Sequence, residues 1–127
     1  MRFIFDNRVG NLNKDIVCED CSVDKALMAL NELDGERHTL LSLERPDGWQ
    51  LCVGGGPKGF IVTLSSQSGK NLTLLNVFGN DEEAVELCAG GQFSDFPLSI
   101  VVDKDLVAKA IASFFEKNEK KLEWDSD

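Results

Sequence analysis

Apolar residues recur with two different periods along this 127-residue chain, and the changes between them mark its elements. Arg2-Phe3-Ile4-Phe5 alternates weakly and reads as a strand, after which Asp6, Asn7, Gly10, Asn11 and Asn13 crowd a turn-rich stretch. From Val23 the period is helical. Val23, Ala26, Leu27, Leu30 and Leu33 recur on one face and Asp24, Lys25, Asn31 and Glu32 on the other, with Ser22 placed as N-cap and Gly35 just past the end. This spacing predicts a first amphipathic helix over about 22–34.

The middle of the chain reads as strands. Residues 39–44 and 49–53 are apolar-rich runs joined through Arg45-Pro46-Asp47-Gly48, where Pro presets a turn and Gly tolerates positive φ, so a hairpin is expected. Residues 60–64 and 72–77 flank a Ser-, Gly- and Asn-rich connection, and 85–89 leads through Gly90-Gly91 to a further expected strand over 98–102. The last main element is a helix over about 103–118. Asp103 caps it, Asp105 sits in its first turn, and Leu106, Val107, Ala110, Ile111, Phe114 and Phe115 form its apolar stripe. Lys104, Lys109, Ser113, Glu116 and Lys117 are expected to face elsewhere, and Leu122-Glu123-Trp124 to add a short edge strand. Strands bracketed by single helices predict an α+β fold: a mostly antiparallel sheet of five to seven strands with two main helices, in a single domain over 1–127.

Charge narrows the partners such a fold can take. A hydrophobic fraction of 43% marks a foldable chain, and 22 Asp and Glu against 13 Lys and Arg give it a formal net charge of −9. Nucleic-acid backbones are bound through Lys and Arg that release counterions, so direct nucleic-acid binding is disfavoured, as is an anionic membrane surface. The apolar run in Met1-Arg2-Phe3-Ile4-Phe5-Asp6 is too short for a signal peptide, and no stretch approaches the ~20 apolar residues of a membrane span. A cytoplasmic location is therefore expected, where an acidic surface attracts something basic.

Candidate chemistry is sparse. Cys18-Glu19-Asp20-Cys21 has the spacing to pinch a metal ion, but Cys52 and Cys88 fall on separate predicted strands and form no second close pair, which disfavours zinc. Glu19 and Asp20 would raise a thiol pKa, which disfavours redox work. Gly54, Gly56 and Gly59 have dinucleotide-fingerprint spacing. However, that motif needs a following helix, and Phe60-Ile61-Val62-Thr63-Leu64 is strand-like, so the tract reads as a turn between strands. His38 stands alone, without a nucleophile elbow or a second His. No enzyme, metal or cofactor is expected from these residues.

One feature of the charge pattern points to a partner. Asp81, Glu82, Glu83 and Glu86 cluster ahead of and within a predicted strand, Asp95 follows the Gly90-Gly91 turn, and between Arg45 and Asn80 the single acid is Asp47. Such a cluster suits a docking surface for a basic protein, with Trp49 or Phe93 as an aromatic anchor. The rival reading is a small-molecule or metal-binding accessory domain, motivated by the glycine tract and the thiols.

Ala89-Gly90-Gly91-Gln92-Phe93-Ser94-Asp95-Phe96-Pro97, the following apolar run, the helix from Asp103 and the closing Leu122-Glu123-Trp124 resemble the bacterial immunity protein family one of polymorphic toxin systems, a contact-dependent inhibition type. Trp49-Gln50-Leu51-Cys52-Val53-Gly54-Gly55-Gly56 is similar to that family's strand running into a glycine turn, so the resemblance spans about residues 49–124. It implies a non-catalytic α+β protein that binds and neutralises a cognate toxin domain, commonly a nuclease or a nucleic-acid deaminase. A toxin that grips nucleic acid is basic where it does so, and an acidic inhibitor mimics the phosphate array.

Overall fold

Alternating inward residues give the chain a twisted antiparallel sheet, and two amphipathic helices cover one of its faces. The computed structural model describes residues 1–126. The strands are β1 (Arg2–Phe5), β2 (Arg8–Val9), β3 (Leu12–Asn13), β4 (Ile16–Cys18), β5 (Leu40–Glu44), β6 (Gln50–Gly56), β7 (Gly59–Ser65), β8 (Asn71–Leu74), β9 (Ala84–Ala89), β10 (Gln92–Pro97) and β11 (Trp124–Ser126). The helices are α1 (Val23–Glu32) and α2 (Lys104–Phe115). Seven strands form the main sheet in the order β11-β8-β7-β6-β5-β1-β4, all antiparallel, while β9–β10 and β2–β3 are separate two-stranded hairpins. The fold is α+β, as the pattern of strands and helices predicts.

Register explains the core. Phe3, Leu43, Leu51, Leu64 and Leu72 lie in one cross-strand row, and Phe5, Leu41, Val53 and Val62 in the next. Both rows face Ala26, Ala29 and Leu30 of α1 and Val107, Ala110, Ile111 and Phe114 of α2 in one apolar cluster. Each fully buried Phe, Leu, Ile or Val among them contributes about 1.5–3 kcal/mol, and the alanines less. Among the described residues, no helix is long and apolar enough to cross a membrane.

The caps form where the sequence places them. Ser22 accepts from the Lys25 amide (3.2 Å) and Asp103 from the Leu106 amide (2.9 Å), each satisfying a donor at a helix start. α2 ends at Phe115, short of 118, because Lys117 takes a left-handed conformation (φ 60°). The amides of Lys117 and Asn118 then bond back to the carbonyls of Phe114 and Ser113, a Schellman motif with Lys in the usual glycine position. Ser113 does not face outward. It is buried and donates to the Ala110 carbonyl (3.0 Å) within the helix.

Three strand assignments need correction. No strand forms over 98–102: Leu98–Ile100 is a 3-10 turn, and Val102 alone pairs, as an isolated bridge to Phe60. The partner of β9 is β10, because Gly90 (φ 63°) and Gly91 (φ 78°) make a two-residue turn that returns the chain at once. The strand from residue 72 stops at Leu74, where Asn76 diverts the backbone, and the turn-rich stretch near the N-terminus supplies β2–β3 and the edge strand β4. At the far edge, Trp124 opens β11 against β8.

A buried ion pair fastens the β5–β6 turn to the end of α2. The Arg45 guanidinium donates to Asp47 (2.9 and 3.0 Å), to Glu119 (2.7 Å) and to the Phe114 carbonyl (2.8 Å), and lies over the Phe114 ring (4.4 Å to its centroid). A cation at a helix C-terminus is also favoured by the macrodipole. Trp124 Nε1 donates to the Glu119 carbonyl (2.8 Å), tying β11 to the same cluster.

Candidate functional site

The five candidate acids, Asp81, Glu82, Glu83, Glu86 and Asp95, fall on two linked segments, the loop after β8 and the β9–β10 hairpin. Asn80 shapes the loop: its Oδ1 accepts the amides of Glu82 (3.0 Å) and Glu83 (2.9 Å), and its carbonyl accepts the Ser99 amide (3.0 Å). Ser99 Oγ donates to Asp81, and the Glu83 carbonyl accepts the Leu98 amide (2.9 Å). Asp81, Glu82 and Glu83 are thereby held at the surface, all exposed.

In the hairpin, Glu86 stands directly opposite Asp95 and Cys88 opposite Phe93. Residues two apart share a strand face, so the carboxylate pair and Phe93 present together. Both carboxylates are exposed and neither is ion-paired among the described residues; Phe93 is 67% exposed beside them. Like charges directly opposite destabilise a strand pair, so the free fold gains nothing from this arrangement.

The hairpin is fastened to the main sheet at its tip. Leu87 and Ala89 point the other way, and Ala89 packs against Gly54 of β6, where an added Cβ would lie 2.5 Å from the Ala89 Cβ. Gly56, where a Cβ would lie 2.7 Å from the Asp34–Gly35 backbone, is equally closed to a side chain. The glycine tract is therefore strand backbone for close packing, and Pro57-Lys58 alone makes the turn. At the tip, Gly91 N–H donates to Thr39 Oγ1 (3.0 Å), which in turn donates to the buried Asp6 carboxylate. Asp6 also accepts from the amides of Thr39 (2.6 Å) and Leu40 (3.0 Å) and pairs with Arg8 (2.7 Å).

Other sequence candidates lie elsewhere. Trp49 sits in the β5–β6 turn, partly buried against the core, with its amide on Asp47 (3.2 Å). Five residues of β6, about 16 Å at the rise of a strand, separate it from the Gly54–Ala89 contact, so it does not join the hairpin surface. His38 stacks on Phe5 (4.4 Å) and bonds the Asp6 carbonyl through Nδ1 (2.7 Å), a packing role. Burial pushes the Cys21 and Cys52 thiols up, away from the thiolate form. Among the described residues, no three His, Cys, Asp or Glu side chains are grouped to hold a metal ion.

Sequence reasoning missed Val77 and Phe78, which are 65% and 96% exposed and immediately precede the acidic run. Burial after a strand depends on where the chain leaves the sheet, which local pattern does not encode. They border a groove of about 1180 Å³ between α2, the Pro57-Lys58 turn and the segment 74–78. Four lysines (Lys58, Lys104, Lys109, Lys121) and four acids (Asp34, Asp103, Asp105, Glu123) line it, so the chain's net −9 lies wholly outside it. Comparison with protein-family models, curated proteins and solved structures finds no match to this chain.

Proposed function

We propose that the chain is an immunity-type inhibitor: a cytoplasmic, non-catalytic protein that binds a basic toxin domain, a nuclease or a nucleic-acid deaminase, and blocks it. The carrying observation is the exposed Glu86–Asp95 pair, directly opposed across the hairpin and without a cation partner among the described residues. A cationic surface placed against it relieves the repulsion, and the apolar Phe93 beside it excludes water from the contact. The resemblance over residues 49–124 agrees with this reading and names the class of partner.

The test is complex formation with the toxin domain encoded beside this gene, by gel filtration and calorimetry across a salt series. The expected result is a 1:1 complex that weakens with salt and abolishes toxin activity on nucleic acid. Absence of binding even at low salt overturns the reading. The groove favours a second reading, a small-molecule-binding accessory domain. Melting shifts with nucleotides support it, and indifference to them counts against it.

A further inference from the structure

We propose that Phe78 is the anchor of the docking surface, an aromatic knob on a braced turn that enters an apolar pocket ringed by Lys and Arg on the basic partner. This rests on the inhibitor reading above and adds the residue and the pocket chemistry to it.

Three observations carry it. First, Phe78 is 96% exposed with Val77 beside it at 65%, so the free fold gains almost nothing from the ring and little from Val77. Second, the turn that presents the ring is held rigidly by Asn76. Asn76 Oδ1 accepts the Phe78 amide (3.1 Å), its carbonyl accepts the Gly79 amide (3.0 Å), and its own amide donates to Ser99 (2.7 Å). Its Nδ2 donates to the carbonyls of Val101 (3.0 Å) and Leu98 (3.3 Å), and Gly79 lies so close to the Leu98 carbonyl that no side chain fits. The backbone beneath the ring is therefore braced before binding, so docking costs the rotamer freedom of one aromatic side chain and no loop ordering.

Third, the charge around the knob selects the partner. Asp81, Glu82 and Glu83 follow within five residues, fixed by Asn80 and Ser99, while the groove on the other side of Val77 and Phe78 carries no net charge. The acidic run therefore sets the sign of the local field. Cations around a partner's apolar pocket meet these carboxylates at the rim, and they are also attracted to the ring face. Phe93 is less exposed and Trp49 is packed on the core, which leaves Phe78 as the side chain best placed to be a hot spot.

Surface-plasmon kinetics with the toxin domain tests this. Phe78→Ala is expected to weaken binding about 30-fold or more, mainly through faster dissociation, with an unchanged melting temperature. Phe78→Trp should retain affinity to within about threefold, because Trp also serves as a hot-spot anchor. The triple variant Asp81→Asn, Glu82→Gln, Glu83→Gln should slow association and flatten the salt dependence. Wild-type binding that Phe78→Ala leaves unchanged overturns the anchor and spares the inhibitor reading. A wild-type chain that binds no toxin domain overturns both.

Discussion

Arg45 and Glu119 show how this acidic chain uses its few buried charges. Their 2.7 Å contact is almost wholly out of water; Arg45 Nε donates to Asp47, and the terminal nitrogen that reaches Glu119 also donates to the Phe114 carbonyl. Removing Glu119 leaves a buried guanidinium donor unpaired while Asp47 still balances the charge, so Glu119→Ala should cost about 1–3 kcal/mol, seen as a lower denaturant midpoint at constant slope. A loss near zero would show that Asp47 alone suffices. The Arg45 guanidinium holds the Asp47 carboxyl below its usual range; at Asp34 burial works upward, but the amides of Glu36, His38 and Arg37 outweigh it and the net shift is down. Both groups titrate lower folded than unfolded, so their stabilisation is complete above the ordinary carboxylate pKa of about 4 and is lost as pH falls through the folded values. Thermal melts should therefore change little between about pH 7 and 5 and fall below about pH 4. Asp34→Asn should shallow that fall, and an unaltered acid limb would contradict the assignment.

At the scale of elements, local signals were legible and exposed strands were not. Ser22 and Asp103 are capping residues whose geometry depends on the next three positions, so both helix starts could be read from the chain. β10 was hidden because four of its six residues are exposed and show no buried alternation, whereas the apolar Leu98, Ile100, Val101 and Val102 looked like a strand although a 3-10 turn positions them. The acidic cluster was legible as composition; its cross-strand pairing of Glu86 with Asp95 became definite only with the register. At the hairpin tip one hydroxyl joins elements distant in sequence: Thr39 Oγ1 is bonded to both Asp6 and Gly91. Thr39→Val keeps the shape and removes that hydroxyl. Hydrogen exchange at the Gly91 amide should then quicken markedly while core amides of β5–β7 keep their protection, and Thr39→Ser should restore it. Equal Gly91 exchange in all three proteins would mean that the Gly54–Ala89 packing holds the tip unaided.

The whole molecule divides its surface by role. Two helices close one sheet face, the β5–β6 turn is locked to α2 by Arg45, and the loop 76–83 with the β9–β10 hairpin carries exposed aromatics among uncompensated acids. In the proposed reading the unpaired carboxylates await a cationic partner, a toxin domain. Titration of the purified toxin domain with this chain, at low and at physiological salt, tests the inhibitor reading most directly. Saturable 1:1 binding is expected, weakening as salt rises and lost in a Phe78→Ala, Glu86→Lys, Asp95→Lys variant that still folds. A triple variant that binds as tightly as wild type would contradict it.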